Sequence, residues 1–318
     1  MKVAIIGICG ANARKHLNSY KELDEQISVV VDTNPKGQLI ADELNCTFLD
    51  DYAKLDASMA EIASVSLPPY LHARVVEHLI SKGIHVLCEK PLPLTASEGQ
   101  RLKGIIETGK VSVMVGFCLR FSKKFMAIRE LIEQGKIGTP VQIRSRYSAP
   151  SAIEGSWRAD PDMGGGIMLV NSVHYFDLAP WLIGSGVMCI DAYGDSAFHG
   201  QSAEDNAHII LSHENGCKTI IDANYWNVNS STTEFEVIGT KGRTFILQNT
   251  VIMENSDGTD KIEIENDKMY LAEVSHFIES VKSGNAPQPG ISEGINAAIL
   301  AENAALSMKR GERIWLKD

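Results

Sequence analysis

The sequence predicts an α/β domain built on a doubly wound parallel sheet over residues 1–118, followed by an α+β domain with a mainly antiparallel sheet over 119–318. Short, uninterrupted apolar runs recur in the first third, as expected of parallel strands covered on both faces. Helical periodicity fills the gaps between them, and strand–helix alternation marks a doubly wound sheet. Beyond residue 118 the chain changes to longer alternating segments separated by turn residues, the pattern of antiparallel strands.

The apolar runs are VAII (3–6), ISVVV (27–31), IASVSL (62–67), IHVLC (84–88) and VSVMVGF (111–117). Helical patterns cover 70–81 and 95–107, the latter opening on Thr95 and Glu98 at capping-box spacing. An amphipathic helix at 121–134 and the turn GKIGTP lead into the alternating strand VQIRSRYS (141–148). Further strands are expected at 206–212, 216–226, 233–239 and 243–248, with turns at Asn215-Gly216 and Lys241-Gly242. Glu204-Asp205-Asn206 reads as a turn into the first of these. One helix follows Gly164-Gly165-Gly166, and two closing helices, 269–283 and 292–309, complete the second domain.

A chain of 318 residues has room for two well-buried cores, and 44% hydrophobic with 22% charged residues is an ordered globular composition. A formal net charge of −10 argues against nucleic acid or an anionic membrane as partner. It leaves room for a phosphate-bearing ligand, which a helix N-terminus can bind unaided. Cys9, Cys46, Cys88, Cys118, Cys189 and Cys217 lie far apart with no C-x-x-C pair, several of them inside apolar runs. That usage suits reduced thiols in a cytoplasmic protein, and no His, Cys or carboxylate cluster has metal spacing. The opening MKVAIIGICG meets glycine too soon for a signal peptide. No apolar stretch approaches the ~20 residues that span a bilayer, so a soluble intracellular protein is expected.

The first βα junction reads IIGICGANARKH. A dinucleotide fingerprint wants glycine at 7, 9 and 12; here Gly7 is present, Cys9 and Asn12 hold the other two positions, and Gly10 and Ala11 lie between. Alone, a plain strand–turn–helix explains the stretch about as well. Asp32 changes the balance, because an acid about 20 residues after the loop accepts from the ribose hydroxyls. No arginine follows it to receive a 2′-phosphate, which favours NAD over NADP, although the cation Lys36 stands nearby.

The stretch HVLCEKPLPL (85–94) brings a buried strand to its end on an acid, a base and a proline. With the rest of the chain, Glu89-Lys90-Pro91 resembles the Gfo/Idh/MocA family of oxidoreductases. The resemblance runs through SVSLPPYLH (64–72), VGFCLRF (115–121), IGTPVQIRSRY (137–147), WRADPDMGGG (157–166), HYFDL (174–178), EDNAHIILSHENG (204–216), EVIGTKGR (236–243) and the closing SEGINAAILAENAALSMKRGERIWL. Each piece is loose alone; their order and spacing make the match specific. It implies a Rossmann domain, then a domain whose open sheet often forms the oligomer interface, in a homodimer or homotetramer. It also implies an NAD(H)-dependent oxidoreductase acting on a secondary alcohol of a sugar, sugar derivative or cyclic polyol.

On that resemblance Lys90 touches the reacting hydroxyl, where an ammonium stabilises a developing alkoxide. Glu89 orients Lys90 or reaches the cofactor ribose, and the Lys90–Pro91 bond is a candidate for the rare cis form. Cofactor contacts are expected from Gly7, Cys9, Gly10, Ala11, Asn12, Asp32, Leu67, Pro68, His72 and Glu89, though His72 by itself reads first as a packing residue at a helix start. His174 matches the family's histidine and suits proton relay, with an imidazole pKa near ~6.5. The family's aspartate one helical turn earlier is missing: Val170 holds that position, with Asn171 beside it. Asp177 reads as structural, or as orienting His174. Substrate contacts are expected from Lys90, Arg120, Trp157, Arg158, Asn171 and His174. Trp157 would stack on a sugar face and the arginines would bind hydroxyl or acidic groups, a salt bridge being the other reading of Arg120. The three glycines let backbone approach a ligand or simply loosen a helix entry. Two further readings stay open. One is a non-catalytic dinucleotide- or sugar-sensing protein, fed by the Cys9/Asn12 loop and Val170; the other is an enzyme of the same fold using NAD transiently to cleave glycosidic bonds.

Overall fold

Lys2–Ile6 (β1), Gln26–Val31 (β2), Thr47–Leu49 (β3), Ile62–Val65 (β4), His85–Glu89 (β5) and Val113–Gly116 (β6) form one sheet in the order β3-β2-β1-β4-β5-β6. The computed structural model describes residues 1–150, 156–226 and 230–316. Every pairing in this sheet is parallel, and the strand order reverses between β1 and β4. Val3, Ala4, Ile5, Ile62, Ala63 and Val65 are wholly buried, which is why these strands read as unbroken apolar runs. The connecting helices are Ala11–Glu22 (α1), Lys36–Leu44 (α2), Pro69–Ser81 (α3) and Ala96–Thr108 (α4). The expected capping box opens α4: Thr95 Oγ1 accepts from the Glu98 amide at 3.2 Å. The Glu98 carboxylate reaches back one residue further than the motif requires, to the Leu94 amide at 3.0 Å.

The other sheet has nine strands: Pro140–Ser148 (β7), Val187–Asp195 (β8), Asn206–His213 (β9), Lys218–Asn224 (β10), Thr232–Gly239 (β11), Gly242–Leu247 (β12), Thr250–Asn255 (β13), Gly258–Glu263 (β14) and Ile314–Trp315 (β15). Their order is β14-β13-β12-β11-β7-β10-β9-β8-β15. Only β7 and β10 pair in parallel, with Ile143 opposite Thr219; the remaining pairs are antiparallel. Lys123–Glu133 (α5) and Val173–Ile183 (α6) pack near this sheet. The expected fold class is therefore the observed one. Strands β8, β13, β14 and β15 lay outside the sequence reading. β14, GTDKIE, is exposed along its whole length and so has no apolar alternation to read.

The chain divides into two units, residues 1–118 with 268–298, and 119–267 with 299–318. Sequence order puts both closing helices, Met269–Ser283 (α7) and Ile291–Arg310 (α8), in the second domain. Instead α7 packs on α1 and β5, and the division falls within α8. Chain order follows connectivity, whereas membership of a core follows which apolar face finds a partner. Val274 and Phe277 of α7 are wholly buried in the first unit. Among the described residues no helix is long and apolar enough to cross a membrane. Truncating Phe277 to alanine is expected to cost about 3–5 kcal/mol in urea unfolding; a loss below about 1 kcal/mol would contradict the packing of α7 in that core.

Candidate functional site

Because β1, β2, β4 and β5 all run the same way, their carboxyl ends share one edge of the sheet. Gly7, Asp32, Ser66 and Lys90 are the first residues after these four strands. Ligands of open α/β sheets bind at this edge.

Gly7 turns the chain with φ +82°, and a Cβ there would collide with the Ser66 carbonyl oxygen. Its amide donates to Val31 O at 2.8 Å, and the Gly10 amide donates to Gly7 O at 2.9 Å. The Cys9 amide donates to Asp32 Oδ2 at 2.9 Å and the Asn34 amide to Oδ1 at 2.8 Å, so loop and acid are mutually fixed. Burial, then the Asp32 charge, push the Cys9 thiol pKa up. Ala11 opens α1, which has no side-chain cap at Gly10 and no acid in its first turn, leaving its N–H groups directed at any anion. Asn12 accepts from Lys15 Nζ at 3.2 Å. Leu67 lies against Gly7, and Pro68 precedes the first residue of α3. Ser66 Oγ, given no role in the sequence reading, is buried with no hydrogen-bond partner among the described residues.

These residues fit a dinucleotide. A turn without Cβ permits close backbone approach, the uncapped helix start suits phosphate, and the carboxylate ending β2 suits a ribose diol.

Two residues expected to contact the cofactor are buried and have partners within the protein. His72 is only 1% exposed, with Nδ1 2.8 Å from Pro91 O and Nε2 2.8 Å from Leu67 O. It ties α3 to the segment after Lys90. Burial lowers its pKa, against the pull of those two carbonyls. Glu89 is 5% exposed and turns inward, with Oε1 3.3 Å from His16 Nε2. Burial raises its pKa, but the nearby His16 imidazole and the Lys90 charge outweigh that and hold it below the ordinary value. Behind it lies Glu273 of α7, wholly buried, which sequence reasoning missed because nothing local marks it. Neither of its oxygens has a hydrogen-bond partner among the described residues. Burial, then the Glu89 charge, push its pKa well above 4.5. Lys90 itself is partly exposed and precedes a cis peptide bond to Pro91.

In the second unit, Met168–Ser172 forms a π-helical turn leading into α6. Its i→i+5 bonding breaks the regular spacing by which a residue four before His174 would lie directly beneath it. Val170 is 7% exposed, turned into the core, while the partly exposed Asn171 accepts from the Tyr225 hydroxyl at 2.9 Å. Tyr225 went unnoticed in the sequence; burial pushes its pKa up, so it stays a donor. His174 is partly exposed on the first turn of α6.

The glycine triplet serves packing rather than ligand approach. The Gly166 amide donates to Arg158 O at 2.9 Å, and a Cβ at Gly165 would strike the Trp157 and Arg158 carbonyls. Gly166 has φ +94°, and a Cβ there would meet the Glu204 carboxyl. Glu204, read from sequence as part of a turn, caps this entry by accepting from the Met168 amide at 2.9 Å. Trp157 is half-buried, with the Arg158 guanidinium 5.2 Å from its ring centroid. Arg120 Nε and Nη2 donate to Asp177 at 2.7 and 2.6 Å, and its guanidinium lies 5.6 Å from the Trp181 ring. Two of its donors are thus engaged in an ion pair, the alternative sequence reading.

A doubly wound sheet with this loop, acid and lysine on one edge defines a dinucleotide-dependent enzyme of the Rossmann type. Residues 1–117 match the family described as "Oxidoreductase family, NAD-binding Rossmann fold", and residues 125–245 match the GFO/IDH/MocA C-terminal domain. The chain belongs to the Gfo/Idh/MocA family and is an NAD-dependent oxidoreductase. It is 27% identical to the myo-inositol 2-dehydrogenase of Thermotoga maritima, over 100% of this chain and 99% of that protein. Its fold matches an oxidoreductase from Agrobacterium radiobacter solved with NAD+, L-tartaric acid and magnesium (TM-score 0.86, 21% identity, 99% and 98% of the two chains). It also matches a levoglucosan dehydrogenase solved with NADH and levoglucosan (TM-score 0.90, 18% identity, 100% of both chains).

Substituting Gly7 by alanine forces a Cβ onto Ser66 in a left-handed turn; the expected result is a loss of NADH affinity of about tenfold or more, read by tryptophan-to-nicotinamide energy transfer. The carboxyl proton of Glu273, held more tightly in the folded chain, gives a second expectation. Above its ordinary value of 4.5 the unfolded chain releases this proton and the folded chain keeps it. Stability of the unsubstituted chain should therefore fall, relative to Glu273→Gln, by up to about 1.4 kcal/mol per pH unit as pH rises from there towards the raised folded value. Parallel stability–pH curves for the two proteins would contradict a protonated Glu273.

Proposed function

We propose that this oxidoreductase takes hydride from a secondary alcohol of a sugar, sugar derivative or cyclic polyol, with Lys90 acting on the reacting hydroxyl and His174 relaying its proton. One observation carries the reading: Lys90 follows β5 on the sheet edge that also bears Gly7 and Asp32, next in the chain to the buried Glu89. The similarity to a myo-inositol dehydrogenase supports the substrate class.

Alcohol oxidation releases a hydride from carbon and a proton from oxygen. NAD, when bound, supplies the hydride acceptor. The Lys90 ammonium stabilises the negative charge that grows on the substrate oxygen as its proton departs. His174 accepts that proton and returns it to solvent. The amides of Ala11 and Asn12 at the start of α1 would hold the pyrophosphate, Gly7, Cys9 and Gly10 shaping the turn that brings it close, Asp32 would accept from the ribose diol, and Leu67 and Pro68 would flank the turn. Trp157 offers a ring face to a sugar, Arg158 binds hydroxyl oxygens, and Asn171, whose carbonyl is held by Tyr225, donates from its amide NH2.

In this reading residues 1–118 serve the cofactor, and 119–318 carry substrate binding and oligomerisation, apart from the segment that packs with the first unit. Self-association as a homodimer or homotetramer is supported by the nine-stranded sheet, where the exposed Arg146 lies 3.4 Å from Glu234 and Arg243 lies 2.9 Å from Glu236 on neighbouring strands. A cytoplasmic setting is supported by six free thiols.

The test pairs binding with turnover. In Lys90→Met, NAD+ reduction with myo-inositol or another substrate found by screening polyols and sugars should fall about 10²–10⁴-fold, with NADH binding retained. Full turnover in that variant would sink the reading. His174→Asn should lose kcat within the same range and leave NADH affinity unchanged.

A further inference from the structure

The inner side of Glu89 holds more than one ion pair. His16 of α1 stands with Nε2 3.3 Å from Glu89 Oε1 and 3.9 Å from Glu273 Oε2. Its Nδ1 is 3.1 Å from Ser64 Oγ, which is 3.0 Å from the Tyr20 hydroxyl. His16, Ser64, Tyr20 and Glu273 are wholly buried. Two carboxyls facing one imidazole out of water do not both ionise, because like charges in a low dielectric force one to keep its proton.

Geometry decides which. Among the described residues His16 Nε2, which makes no hydrogen bond, stands at ion-pair distance nearer to Glu89 (3.3 Å) than to Glu273 (3.9 Å), and Glu89 also has Lys90 as its chain neighbour, whereas neither Glu273 oxygen has a hydrogen bond. The charge belongs on Glu89 and the proton on Glu273.

The other ionisable groups around the pair do not compete for that proton. Tyr20, Cys88, Cys118 and Tyr270 are all pushed upward, chiefly by burial, and stay neutral near pH 7. Glu98 bears on this region through Cys88. Lys15 Nζ lies 3.2 Å from the Tyr270 hydroxyl at the exposed side, and His72 is held between two carbonyls.

We propose that His16 and Glu273 are positioning residues for Lys90: Glu273 keeps the proton and His16 keeps the pairing, so that Glu89 remains a carboxylate behind Lys90 and holds it as an ammonium. A lysine so held serves as the cation that steadies an alkoxide, and the substrate proton leaves by another group. This deepens the role proposed for Lys90 and rests on it for function, but the charge is measurable without any substrate.

The measurement is competitive acetylation of the full chain with acetic anhydride across pH. Mass spectrometry of the peptide containing Lys90 then gives the midpoint at which that amine loses its proton. Glu89→Gln removes the charge directly, and His16→Phe leaves Glu89 without a partner so that it protonates. Both should lower the Lys90 midpoint by about one pH unit or more. Glu273→Gln copies the protonated acid and should leave the midpoint in place. An unmoved midpoint in Glu89→Gln overturns the proposal, and a displaced one in Glu273→Gln overturns the placement of the proton. Should His16→Phe fail to fold, the two glutamine variants still decide the matter. Failure of the catalytic reading looks different: Lys90→Met would turn over fully while the midpoint shifts described above persist.

Discussion

A single buried carboxylate organises the first unit. Glu89 ends β5 at 5% exposure, and a charge taken out of water is costly unless a partner charge stands near. Its partner, His16, must come from α1, and Ser64 of β4 orients the imidazole from behind. Glu273 closes the group from α7. One charge thus fixes the mutual register of two strands and two helices. It also accounts for the polar residues of a helix that chain order assigns elsewhere, while Phe277 and Val274 account for its apolar ones. The same arrangement presents Lys90 at the edge of the sheet: the strand turns its acid inward, and the next residue begins the outward segment.

The second unit solves a different problem, a helix entry that must lie flat against a neighbouring loop. Gly165 and Gly166 are required by the Trp157–Arg158 carbonyls and the Glu204 carboxyl, and Glu204 then accepts from the first amide of the π-helical turn. The wider turn in turn settles what stands before His174. Val170 faces the core, and Asn171 takes the partly exposed position with its carbonyl oxygen engaged by Tyr225. The absence of the family's aspartate is therefore answered by packing on one side and an amide on the other.

The departures from the glycine fingerprint are explained by the same kind of local accounting. Within Gly7–Asn12 only Gly7 adopts a positive φ, so Cys9 and Asn12 occupy backbone conformations that any side chain tolerates. Cys9 contributes its amide to a bond with Asp32, which a residue of any side chain could supply. A reader of the sequence sees two missing glycines; the backbone needs one.

By itself the sequence determined the two sheet types, most of the strands and helices, the capping of α4, the nucleotide loop with Asp32, and the lysine on the sheet edge. Those features rest on periodicity and on motifs only a few residues long, which report local burial and local turn geometry. Only the tertiary structure decided that α7 joins the first unit, that Glu89 and His72 turn inward, that Arg120 is held by Asp177, and that Glu204, Tyr225 and Glu273 matter at all. Each of these is a polar group, or a face, whose partner is distant in the chain. Burial obliges such a group to find a partner, but which one it finds is set by the fold, and no spacing along the sequence records it.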